Sequence, residues 1–140
     1  MKTVISEIIN ALSSDGGVVG ALASNTETGG PAIYTETAER MESPYAVLTF
    51  GPVVENHDTQ GEIVLQVDIY ERRAADRRSL AAILDARAEI IRALDRFTSS
   101  EGARNIRVFY TGENTQAPDD GRFRRVSIDF EVRYNRPVTI

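Results

Sequence analysis

Two stretches of this chain alternate between apolar and polar side chains, which is the signature of a strand with one buried face. In residues 62–70 Ile63, Leu65, Val67 and Ile69 occupy every second position. In residues 125–134 Val126, Ile128, Phe130, Val132 and Tyr134 share one face, and Arg125, Ser127, Asp129, Glu131 and Arg133 share the other. Between them a short charged joint, residues 71–78, leads into a helix predicted over 76–97. Its apolar positions Leu80, Ile83, Leu84, Ile90, Ile91, Leu94 and Phe97 recur at steps of three and four, while Arg78, Asp85, Glu89, Arg92 and Arg96 take the outer side. Asp76 is the expected N-cap, and Gly102 the expected end of the helical region. A helix with one apolar face next to such strands buries that face against a sheet, at about 1.5–3 kcal/mol for each large side chain.

The rest of the pattern fills in around this unit. Val4, Ile5, Ile8, Ile9 and Leu12 lie at helical spacing, and Val18, Val19 and Leu22 continue after a polar, glycine-containing break, so two short helices are expected with Asp15 capping the second. The run from Gly16 to Gly20 reads as a helix junction and not a phosphate loop, because no Lys-Ser/Thr follows and no strand precedes it. Residues 24–43 form a long polar loop holding a short strand at 32–35. Residues 45–50 form a strand entered through Pro44, 51–61 a wide hairpin connection, and 105–110 a further strand. A polar loop at 112–121 carries Glu113, Asp119 and Asp120 around Pro118. The expected architecture is therefore α+β, one domain over 1–140, with a single antiparallel β-sheet of about four to five strands backed by the helix at 76–97 and an N-terminal helical segment.

Composition narrows function mainly by exclusion. The apolar fraction of 41% with 26% charged residues is that of a globular protein. A net charge of −5 disfavours a dedicated nucleic-acid binder. Of the 16 basic residues only Lys2 is lysine, a bias toward the planar fork that suits ion pairs and interfaces. The chain has no cysteine, which removes disulfides, zinc-thiolate sites, iron–sulfur clusters and a cysteine nucleophile together. No apolar run approaches the ~20 residues of a membrane span, and Ser6, Glu7 and Asn10 interrupt any signal-peptide core, so a soluble protein made without export is expected.

Catalytic candidates are thin. His57 and Asp58 are adjacent on an extended segment, where their side chains point apart, and read as a solvated hairpin loop. Asp85 and Glu89 lie one helical turn apart, but Arg92 follows three residues later, so an ion-pair ladder accounts for them better than a cation. Arg72, Arg73, Arg77 and Arg78 form the one basic cluster, flanked by Glu71 and Asp76. It reads either as an edge for protein contact or as a plainly solvated face, and both outrank a nucleic-acid patch, since only Tyr70 supplies an aromatic nearby. No cofactor, metal or catalytic set is expected.

The order and spacing of these elements resemble the small tail-terminator, or tail-completion, proteins of long-tailed bacteriophages. The resemblance is carried by the opening helix from Val4 to Leu12, by Ser43-Pro-Tyr-Ala-Val-Leu48 after a variable loop, and by Val67-Asp-Ile-Tyr70 running into a helix that ends with Ile91-Arg-Ala-Leu94. Arg124-Arg-Val-Ser-Ile-Asp-Phe-Glu-Val132 after an Asp-Gly loop completes it. The resemblance implies a non-enzymatic virion protein that assembles as a homo-oligomeric ring, commonly a hexamer, at the neck end of the tail after synthesis in the host cytoplasm. Such a ring stops tube polymerisation and docks the head connector. Its partners would be further copies of itself, the tail tube protein and the head–tail connector protein, with DNA only as passing cargo and no membrane. Arg72, Arg73, Arg77, Arg78, Glu113, Asp119 and Asp120 are the expected interface residues, the acidic loop facing lumen or partner or remaining solvated. The alternatives are another phage neck or tail-tube component, or a small ligand-binding or enzymatic domain using the 56–58 and 112–121 loops.

Overall fold

The computed structural model describes residues 2–25, 29–36, 43–51, 54–57, 60–72, 81–99, 105–114 and 123–135. The chain opens with α1 (Lys2–Ser14) and α2 (Gly16–Ala21), joined at Asp15 as the spacing predicts. Then follow β1 (Ile33–Tyr34), β2 (Tyr45–Phe50), β3 (Val54–His57), β4 (Gln60–Arg72), α3 (Ala81–Leu94), β5 (Thr98–Ser99), β6 (Ile106–Asn114) and β7 (Phe123–Asn135). All strands join one sheet in the order β1-β2-β4-β7-β6-β5, with β3 also on β4. The fold is α+β. Its long strands β2, β4, β7 and β6 are antiparallel throughout, and only the two-residue β1 runs parallel to its neighbour. Because β4 and β6 are each antiparallel to β7, they run in the same direction, and α3 carries the chain from one to the other while β7 fills the gap between them.

The three described helices lie on one face of this sheet. Ile63, Leu65, Val67 and Ile69 of β4 and Ile128, Phe130, Val132 and Tyr134 of β7 meet Val4, Ile8 and Leu12 of α1, Val18 of α2 and Ile83, Ala86, Ile90 and Leu94 of α3 in one buried cluster. The alternation read from the sequence thus sets the core of the two central strands. Gly61 belongs to the same face, and a Cβ built there would lie 2.5 Å from Cζ of Tyr134, so the tyrosine ring fills the space that a side chain would take.

Four expectations need correction. Leu84, placed in the core by its spacing, is 46% exposed, and Ala86 is buried in its stead. The buried stripe 83, 86, 90, 94 selects position over size: Ala86 lies on the inward side of the helix and Leu84 outside it. Second, α3 stops at Leu94, well before Gly102, because Arg96 adopts the left-handed conformation (φ 63°) and Phe97 N–H turns back to the Leu94 carbonyl at 2.9 Å. Arg96 and Phe97 therefore lie past the helix end, and the start expected at Asp76, with Leu80, lies outside the described residues. Third, residues 51–61 are not a wide loop: β3 continues the edge begun by β2 along β4, with Val54 opposite Glu62 and His57 opposite Gln60. Fourth, β6 runs on to Asn114, so Glu113 is in a strand and not in a loop.

Candidate functional site

The register sets the geography of the sheet. At one end Gln60 pairs with Asn135 and His57; at the other Arg72 pairs with Phe123. Among the expected interface residues, Arg72 ends β4 at the second of these ends, while Arg73, Arg77, Arg78, Asp119 and Asp120 lie outside the described residues. The connections that carry the arginines and the two aspartates both leave from that end, since one follows Arg72 and the other precedes Phe123.

Glu113 parts company with them. A register shift between Tyr110 and Gly112 inserts one residue, which returns Glu113 to the helix side opposite Ile128. There its carboxylate pairs with Arg87 of α3 and accepts from the Tyr110 hydroxyl at 3.3 Å. It ties the sheet margin to the helix. His57 lies at the level of Gln60, whereas Asn114 lies at the level of Ser127 and Asp68, eight residues along β4, or about 26 Å. His57 and Asn114 therefore sit far apart along the sheet, while Asp58 and residues 115–121 lie outside the described residues.

The helix layer holds one polar knot. The Asp15 carboxylate accepts from Gly17 N–H at 2.9 Å and Val18 N–H at 3.2 Å, capping α2, and also from Arg92 Nη2 at 2.5 Å. Arg92 Nε donates to Glu89 at 2.8 Å. The Arg92 hydrogen bond holds the Asp15 carboxyl below the usual carboxylate range; partial burial opposes this, and the two amides assist it. The same bonds, to Asp15 and then Glu89, push the Arg92 guanidinium up. Glu89 is thus part of the ion-pair ladder expected from its spacing, extended to a second helix, and Asp85 stands exposed outside it. Among the described residues no group of three or more His, Cys, Asp or Glu side chains is placed to hold a metal ion.

The second face of the sheet, which no described helix covers, divides in two. Toward the Arg72 end it is closed: Tyr45 and Val47 are buried with Ala32, Tyr45 stacks on Tyr70 at 5.1 Å, and Tyr34 meets Tyr45 edge-on at 6.1 Å. Asp68 is buried there too, accepting from Gln66 Nε2 at 3.0 Å and from the Ser127 hydroxyl directly across the strand pair. Toward the Gln60 end the face is open. Val64 is 54% exposed, Thr49 and Arg107 are exposed, and the Arg133 guanidinium sits 5.5 Å from the Phe109 ring centre while bonding Glu131 at 3.3 Å and facing Glu62 at 3.6 Å. Sequence reasoning passed over this patch. Its signal was Val64, an apolar residue on the polar side of the 62–70 alternation.

The sequence matches no protein-family model and no curated protein. Among solved structures, the chain is similar to one from the virion of a native gene transfer agent particle, with a TM-score of 0.70 over 92% of both chains at 14% identity. At that identity the likeness speaks for the fold.

Proposed function

We propose that this protein is a structural component of a phage-like virion that caps the head-proximal end of the tail tube as a ring, ends tube polymerisation and forms the joint to the head connector. The observation that carries the reading is the near end-to-end likeness to a chain of a gene transfer agent virion, 92% of each chain at a TM-score of 0.70. The order of elements that resembles tail-terminator proteins points the same way. In this reading the chain is not an enzyme; it works by self-association, most simply as six copies, and by contact with tube protein below and connector above. Heterologous, ring-closing contacts use two different surfaces of each subunit. The half-open second face of the sheet supplies one such surface. DNA passes through the ring without being held, which a chain of net charge −5 favours.

The test is complementation of a tail-assembly system that lacks this gene, read by electron microscopy of tail lengths. The proposal expects overlong, headless tubes without the protein and a single length with it. An unchanged length distribution in its absence would remove the capping role.

A further inference from the structure

We infer that copies of this chain join by laying the open sheet face of one subunit on the outer side of α3 of the next, with Arg107 meeting Asp85 and the Val64–Phe109 surface meeting Leu84. This deepens the ring reading above and rests on its subunit-to-subunit contact. The three large apolar side chains exposed among the described residues are Val19, Val64 and Leu84. Val64 lies on the sheet face away from the helices, and Leu84 lies on the exposed flank of α3, outside its buried stripe. A patch on one side of the molecule and its complement on the other is what head-to-tail assembly requires, whereas a two-fold dimer would need a patch that matches itself.

Charge makes the match specific. Arg107 stands directly across the strand pair from Arg133, a like-charge pairing that is unfavourable unless something offsets it. Arg133 is satisfied by Glu131, Glu62 and the Phe109 ring, and Arg107 has no ion pair among the described residues. An acidic group from outside would complete this corner. Asp85 follows Leu84 on α3, is exposed, and likewise has no ion pair among the described residues, since the polar knot on that helix uses Glu89 and Arg92. Each copy therefore presents an available cation next to Phe109 on the open face that Val64 shares, and an available anion next to Leu84 on α3. Arg and aromatic side chains beside a desolvated apolar centre are also the composition of interface hot spots.

The experiment is a charge swap read by size-exclusion chromatography with light scattering across protein concentration, with urea melts as the check on folding. Arg107→Asp and Asp85→Arg should each raise the midpoint concentration for assembly about tenfold without lowering the urea midpoint, which Arg107→Asp can only raise by replacing a like-charge pair with an opposite-charge one opposite Arg133. Arg107→Asp with Asp85→Arg in the same chain should restore assembly. Single variants that assemble like the parent, or a double variant no better than the singles, would overturn this pairing while leaving the ring itself standing. A parent chain that stays monomeric at every concentration, alone and on tubes, would overturn both this contact and the ring.

Discussion

The two faces of the sheet are built from the same strands yet obey different constraints. On the helix side Ile63, Leu65, Ile128 and Phe130 are fully or nearly inaccessible, and their neighbours are packed so closely that Gly61 cannot carry a methyl group without displacing the Tyr134 ring. On the other side Val64 and Thr49 are open, and polar groups are satisfied one by one: Asp68 by Gln66 and Ser127, Arg133 by Glu131 and Glu62. The first face secures the fold through volume and shape. The second is packed toward the Arg72 end, around Tyr45 and Val47, and leaves its Gln60 end open to present chemistry to a neighbour. With the described helices on one side, the sheet holds the core there and leaves part of its other side accessible.

The sharpest way to break this contrast is to put a charge on each face. Ile128→Asp or Ile83→Asp should abolish soluble folding, because an unpaired buried charge costs several kcal/mol against a net stability of about 5–15 kcal/mol. Val64→Lys, one residue from a core position on β4 and directly across from Glu131, should melt within about 0.5 kcal/mol of the parent in urea. A folded, cooperative Ile83→Asp protein would show that the buried face of α3 is assigned wrongly. Next in size comes Gly61→Ala. Its methyl group would overlap the Tyr134 ring, and overpacking of this kind costs about 1–3 kcal/mol, visible as a lower urea midpoint with an unchanged slope.

The polar knot sharpens the comparison within the helix layer. Asp15→Ala removes the cap of α2 and should cost about 1 kcal/mol. Its pH dependence has a definite sign. The folded carboxyl is held below its ordinary value of 3.8, so its contribution is complete above that value and fades as pH falls through the lower folded one. Asp15→Asn should therefore flatten the acid limb of a stability–pH curve and leave its neutral region nearly parallel to the parent's. One substitution should act in the opposite direction: Arg96→Gly relieves a left-handed residue at the end of α3 and should stabilise by about 0.5–1 kcal/mol in a thermal melt.

How much of this was legible in the sequence follows the same division. The period-two runs at 62–70 and 125–134 and the break at Asp15 declare themselves because burial of one face forces the pattern, and the structure keeps them. Leu84 misled because it is the larger apolar residue at a plausible step, whereas the stripe 83, 86, 90, 94 that the helix buries runs through Ala86. β3 was hidden because Val54-Glu-Asn-His57 is short and mostly polar, and an edge strand of that kind needs its partner β4 to exist. Glu113 was misplaced because Thr111-Gly-Glu-Asn114 is polar and glycine-containing and reads as loop, whereas pairing with β7 carries β6 on through an inserted residue to Asn114. The arginine joint was visible as composition, but only the pairing of Arg72 with Phe123 shows that the connection bearing Asp119 and Asp120 springs from the same end. The open patch around Val64 depends on three strands at once, Arg107 and Phe109 from one, Arg133 from another and Val64 from a third, so no local window contains it.

The absence of cysteine from the chain makes the most direct test a single engineered thiol. Val64→Cys places it at the centre of the open face, and Asn10→Cys, on the exposed side of α1, serves as the reference. Maleimide labelling rates are measured for both variants in the dilute subunit and in assembled tails. If the second face of the sheet is the surface through which copies meet, the thiol of the Val64→Cys variant reacts readily in the subunit and slows markedly on assembly, while the reference thiol keeps its rate. Equal labelling of the Val64→Cys variant in both states would contradict the account.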